Sequence, residues 1–136
     1  MLGAVLSSIF SIIVGALGYL IVTFHCKPIL QYLDVKNQIL IDFIFYAQVI
    51  NSDCLNEEMK VLHSNRIHAN RLASARLAST INQLPGWYLK YLKSRKKQNP
   101  ERAVGHLIGY SNTSDNNDAN KIKNAILKNL GITLDI

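Results

Sequence analysis

Arg66, Asn70 and Ser74 recur at four-residue steps, and His63 stands one turn ahead of Arg66. On a helix these positions lie close together, because side chains three and four apart sit one above another. Leu55, Met59, Leu62, Ala69, Ala73, Leu77, Thr80 and Leu84 make an apolar stripe on the same segment, and Arg66 projects into its middle. A guanidinium on a core-facing stripe needs an anion, because unpaired burial of a charge is prohibitive. Two kinds of anion are in prospect. One is a carboxylate of the preceding segment, Asp34 or Asp42, which would give a structural salt bridge. The other is an anionic ligand, phosphate most plausibly, since the planar fork of Arg66 suits it and Asn70 and His63 stand beside it.

Positive charge continues beyond that cluster. Lys60, Arg66, Arg71, Arg76, Lys90, Lys93, Arg95, Lys96, Lys97 and Arg102 face a single acid, Glu101, over the same 43 residues. That local excess is more than solubility requires. Arg66, Arg71 and Arg76 are five apart, so on a helix each step turns by about 140°. They cannot all serve one face of a monomer, although they could converge at an oligomer's axis. Trp87-Tyr88-Leu89-Lys90-Tyr91-Leu92-Lys93 interleaves rings with lysines. Such rings stack on nucleobases while lysines meet phosphates. Equally, Trp and Tyr sit at headgroup level while lysines meet anionic lipid. The candidate ligand-binding set is therefore His63, Arg66, Asn70, Arg71, Arg76, Trp87, Lys90, Lys93, Arg95, Lys96 and Lys97.

Catalysis finds little to use. Cys26 and Cys54 are far apart and share no metal-type spacing with a histidine. In a cytoplasmic domain both are expected as free thiols, and Cys26 at a membrane edge could be acylated. No glycine-rich phosphate loop, G-x-S-x-G or H-E-x-x-H is present. Arg102-Ala-Val-Gly-His106 falls one residue short of the Arg-to-His spacing of small helical HEPN-type ribonucleases. The sequence predicts no enzyme, no cofactor and no metal.

The elements that must position these residues follow from an uneven distribution of charge. The chain has 136 residues and a net charge of +6, yet Met1 to Phe24 contain no charged side chain. That run is long enough to cross a hydrocarbon core of roughly 30 Å as a helix. No Lys or Arg precedes it and His25-Cys26-Lys27-Pro28 follows it, so it reads as an uncleaved anchor, residues 1–25, rather than a signal peptide. All Lys and Arg lie after it, which places the C-terminal domain in the cytoplasm and the N-terminus outside. Gly3, Ser7, Ser11 and Gly15 recur every four residues with Gly18 one step on, a groove that predicts self-association into a homo-oligomer. Residues 26–51 are a stalk or a second membrane-associated helix, opened by a break or helix start at Pro28. Their only polar stripe is Gln31, Asp34, Gln38 and Asp42, and the two carboxylates favour the stalk.

Residues 52–136 read as a small basic domain. Asn51-Ser52-Asp53 is a cap cluster for a helix from about Cys54 to Gln83, with Glu57 and Glu58 suiting its dipole and Pro85-Gly86 ending it. A short segment follows from Trp87 to Ser94, then a basic loop, Arg95 to Gln98. Asn99-Pro100-Glu101 is a cap, a proline at the first helical position and a first-turn acid, opening a helix to about Tyr110. Asp118 caps a last helix ending at Asn129 or Leu130, with Gly131 left-handed. Apart from a possible extended tail at Ile132 to Leu134, no strand alternation exists. The expected fold class is all-α.

This layout resembles the small CRISPR-associated and antiviral membrane effectors, in which an N-terminal membrane helix precedes a basic helical domain that binds a cyclic oligoadenylate as an oligomer. The resemblance is architectural. It is carried by the charge-free anchor and by the helical domain with His63, Arg66, Asn70, Arg71 and the stretch from Trp87 to Lys97. It implies a ligand-gated effector that perturbs the bilayer when a cyclic oligonucleotide or RNA binds. The competing expectation is a non-catalytic membrane scaffold that binds anionic lipid or a protein partner.

Overall fold

A computed structural model describes residues 2–51 and 56–133, the side chains at 2 and 4 excepted; Ser52, Asp53, Cys54, Leu55 and Leu134, named above, lie outside the described residues. Every element among the described residues is helical. They are α1 (Leu2–Ile21), a π-turn (Val22–Cys26), α2 (Lys27–Phe45), a 3-10 turn (Ala47–Val49), α3 (Glu57–Gln83), α4 (Gly86–Ser94), α5 (Pro100–Asn112) and α6 (Asn116–Leu130).

The first three elements form one continuous rod. Pro28 does not break it. A proline inside a helix supplies no N–H and its ring crowds the carbonyl four residues back. Here the crowded carbonyl is that of Phe24, and the helix widens just ahead of the proline: the N–H of Lys27 donates to Val22 O, five residues back. One wide turn absorbs the misfit that would otherwise kink the chain. The resulting apolar helix, Val5 to Phe45, has 41 residues and is long and apolar enough to cross a membrane by length and composition. At ~1.5 Å per residue it extends about 60 Å, twice a hydrocarbon core. Its most apolar stretch contributes nothing to the protein's core.

The helical body is built on one face of α2. Tyr32, Ile39 and Phe43 are buried at helical spacing, with Ile29, Val35 and Leu40 beside them. This face of the segment expected as a stalk or a second membrane-associated helix is part of the core. α3 packs along α2, α5 along α3, and α6 along α5. Leu77, Ile81 and Leu84 from the α3 side meet Ala103, Leu107 and Tyr110 of α5, and Ala119, Ile126, Leu127 and Leu130 of α6 complete the cluster. Ala73, Ala103 and Ala119 leave room for close helix approach, and Ser74 Oγ bridges α3 to α5 by donating to Val104 O at 2.9 Å.

Caps fix where the helices begin. Asn56 accepts the N–H of Met59, so α3 starts at Glu57. Asn99 accepts the N–H of Arg102, with Pro100 next, as its sequence predicts. Asp118 is not the cap of the last helix. Asp115 holds an extended backbone and accepts the N–H of Asp118, so α6 begins at Asn116 and Asp118 falls in its first turn, where it pairs with Lys121 at 3.3 Å. Both Asx residues suit a cap; the earlier one wins because Asn116 and Asn117 can join the helix.

α6 closes as expected on Gly131, at φ 61°. Its N–H donates to Lys128 O and that of Ile132 to Leu127 O, satisfying carbonyls that a helix end leaves orphaned. A Cβ at Gly131 would also overlap the Gln98 side chain. Gly131→Ala should therefore cost ~1–2 kcal/mol from the left-handed backbone and the displaced glutamine. Urea unfolding of the full chain in detergent checks it; a midpoint unchanged from the parent would show that the loop yields freely.

Candidate functional site

Arg66 is the largest fully buried side chain among the described residues, and it meets no carboxylate. Its Nη1 donates to Tyr110 O at 3.3 Å, and its Nη2 to Thr113 O at 3.0 Å and Ile50 O at 3.4 Å. Its guanidinium carbon lies 5.3 Å from the centre of the Tyr110 ring. Tyr110 and Thr113 are the end of α5, where carbonyls lack intrahelical donors and the helix dipole is negative. The anion that Arg66 needs is therefore a helix C-terminus. Among the described residues the expected salt bridge to Asp34 or Asp42 is absent.

Of its neighbours, Asn70 is as deeply buried and His63 is half-buried. The Asn70 amide donates back to Arg66 O at 2.8 Å. His63 Nε2 is buried without a hydrogen-bond partner. Burial first, and the charge of Arg66 next, hold its pKa below the ordinary imidazole range, against a backbone hydrogen bond at Ile50. His63, Arg66 and Asn70 do come together, but as an internal brace that ties the end of α5 and the chain after α2 to α3.

The three arginines at five-residue steps go to three places, as their 140° spiral requires. Arg71 is exposed and donates to Asn112 Oδ1 at 3.0 Å. Arg76 faces a groove of about 330 Å³ between α2 and α3, opposite Asp34, Gln38 and Asp42. Those are members of the polar stripe that the sequence shows, so this groove carries both signs of charge.

The remaining candidates gather on α4. Tyr88, Leu89 and Leu92 turn inward, while Trp87, Lys90, Tyr91 and Lys93 are exposed. Trp87 stacks beside His25, ring centres 6.3 Å apart, which brings α4 to the end of the charge-free run. Neither His25 nor this meeting is legible as a site in the sequence. Tyr88 bridges inward, edge-on to Trp87 at 5.6 Å and to Tyr32 at 6.4 Å. Lys93 is partly neutralised by Glu101 at 2.7 Å. Lys90, Arg95, Lys96 and Lys97 have no ion pair among the described residues, although Lys96 lies over the Tyr91 ring at 6.0 Å. Lys97 holds φ 52°, a conformation that a lysine adopts rarely.

At the other end of the molecule, Gly3, Ser7, Ser11, Gly15 and Gly18 are exposed along α1. Nothing lies within 4 Å of a Cβ built on any of the three glycines. Ser11 returns its hydroxyl to Ser7 O at 2.9 Å. Cys26 is an exposed free thiol. Among the described residues no three His, Cys, Asp or Glu side chains cluster as metal ligands would. No protein-family model, curated protein or solved structure matches this chain.

Proposed function

We propose that this is a non-catalytic membrane protein with one spanning helix, whose basic helical domain lies against a phosphate-rich surface through α4. The observation that carries the reading is the contact of Trp87 with His25. A helix that places Trp and Tyr rings and free lysines at the end of an apolar span has the composition and position of an interfacial element. Lys27 and every later Lys and Arg lie on the domain's side of the span, which supports a cytoplasmic domain facing an anionic leaflet. Lys90, Lys96 and Lys97 would then contribute ~1 kcal/mol each to holding the domain down.

A soluble oligonucleotide offers the same phosphate chemistry, and the adjacent unpaired cations Arg95, Lys96 and Lys97 favour it as a second reading, that of a ligand-gated effector. Arg66, His63 and Asn70 have no part in either. Trp87 is the sole tryptophan, so its emission separates the two. In proteoliposomes, lipids brominated near the headgroup should quench Trp87, more strongly with anionic than neutral lipid and less at high salt. Lys90→Glu with Lys97→Glu should abolish that difference. Equal quenching in neutral lipid at any salt would overturn the leaflet reading. Absent quenching together with thermal stabilisation by a cyclic or linear oligoadenylate would replace the leaflet by the soluble ligand.

A further inference from the structure

α2 carries a second apolar face that its own domain leaves bare. Leu30, Leu33, Ile41 and Ile44 are 60, 36, 55 and 57% exposed, and Asn37 stands in the middle of their row. Their steps of three, four, four and three residues keep them on one face of the helix rather than scattered over its surface. The face lies about a third of a turn from the one that buries Tyr32, Ile39 and Phe43. With Phe45 beside them these residues leave roughly 500 Å² of apolar side chain uncovered, at the upper end of what a soluble monomer tolerates.

The π-turn gives this face its partner. Projected along an unbroken α-helix, the row on α2 would sit about 100° around from the Gly3, Ser7, Ser11, Gly15, Gly18 face of α1, and one residue inserted by a wide turn rotates all that follows by about 100°. The Val22–Cys26 turn therefore brings both rows onto one side of the rod. Whatever packs on the small residues of α1 continues onto Leu30, Leu33, Asn37, Ile41 and Ile44.

We infer that this shared side is the seam of a parallel pair with a second copy of this chain. The inference rests on the single-span reading. Identical chains inserted with one orientation run parallel at equal depth, so each residue on the seam meets its own counterpart. Asn37 fits that arrangement, because an amide both donates and accepts and two of them satisfy each other at the centre of an apolar seam. A second copy suits this face better than lipid does, because the face lies at the height of Asp34, Lys36 and Asp42, beside the polar groove with α3, and charged side chains avoid hydrocarbon. The α2 row supplies more than half of the ~800 Å² that a standard interface takes from each partner. The close-packing small face of α1 supplies the remainder.

The test is oxidative cross-linking of single cysteines in native membranes, with Cys26 and Cys54 changed to Ser. Leu33→Cys, Asn37→Cys and Ile44→Cys should give covalent dimer, while Gln31→Cys and Gln38→Cys on the polar stripe should give none. Equal cross-linking at all five positions, none at any, or a product of mass other than two chains overturns the seam. Alkaline carbonate extraction of the same membranes reads the anchor separately, so a chain that washes off defeats the single-span reading whatever the cross-links show. Leu33→Glu with Ile41→Glu should also reduce the mass measured by light scattering in mild detergent to that of one chain. A dimer that survives both charges overturns the proposal too.

Discussion

Arg66→Ala is expected to unfold much of the helical body rather than to silence a binding site. Truncation leaves the carbonyls of Ile50, Tyr110 and Thr113 buried without their donor, and it uncovers the Tyr110 ring on which the guanidinium lies. Each orphaned buried acceptor costs about 1–3 kcal/mol, and removing a charge from a buried network costs about 3–5 kcal/mol in comparable cases. We expect a loss of about 3–5 kcal/mol, a large share of the total stability of a domain this size. Arg66→Lys should recover only part of it. A single ammonium cannot span three diverging carbonyls, nor lie flat over Tyr110 as a guanidinium does. Denaturant unfolding of the full chain in detergent, followed by far-ultraviolet circular dichroism, measures both variants. A ligand arm would behave in the opposite way, with binding lost and stability near the parent's. Arg66→Ala at parental stability would therefore return Arg66 to the anionic-ligand role that its neighbours Asn70 and His63 suggest.

That contrast shows which parts of the fold can be read from sequence. Some signals completed within one turn of chain were legible, although Asp115 and Asn56 took the caps expected at Asp118 and at 51–53. Asn99-Pro100-Glu101 opens α5 and Gly131 closes α6, because caps are satisfied by residues three or four away. The separation of Arg66, Arg71 and Arg76 also follows from helical periodicity alone. Arg66 is different. Its place on a core-facing stripe correctly demands a buried partner, but the partner is the end of a helix 44 residues later, made of backbone carbonyls that no side-chain pattern announces. The expected anions, Asp34 and Asp42, border another face of α3, where Gln38 donates to Asp42 and Arg76 lines the same groove. Trp87 and His25 lie 62 positions apart, and only the hairpin of α2 and α3 brings them together. Pro28 stands in the first turn of α2, as a helix start would have it, but the join is taken up as a change in helical pitch, and the phase of every residue after Cys26 shifts with it.

The largest effect outside Arg66 is expected at Phe43, where the rod and the helical body are joined. A stalk connecting an anchor to an independent domain would tolerate truncation along its length. Phe43 is 3% exposed, and its ring meets Tyr110 edge-on at 5.0 Å, on the residue that also carries Arg66. Phe43→Ala removes that edge contact and leaves a void among Ile39, Tyr110 and their neighbours, at a cost of about 3–5 kcal/mol in well-packed cores. Gln38→Ala, on the exposed stripe of the same helix, should stay within about 0.5 kcal/mol of the parent. The same logic extends to a chain begun at Asn51, which lacks Tyr32, Ile39 and Phe43 and should lose cooperative unfolding altogether. Hydrogen exchange adds the spatial readout: in Phe43→Ala, protection should fall in α3 and α5 as well as in α2, because the three share one core. If exchange rises in α2 alone while α3 and α5 keep parental protection, the rod is a tether after all. Motion of the anchor would then have no mechanical route into the basic domain. If all three loosen together, the rod and the body form one mechanical unit, and any force on the spanning helix is felt at α5 and its Arg66 brace.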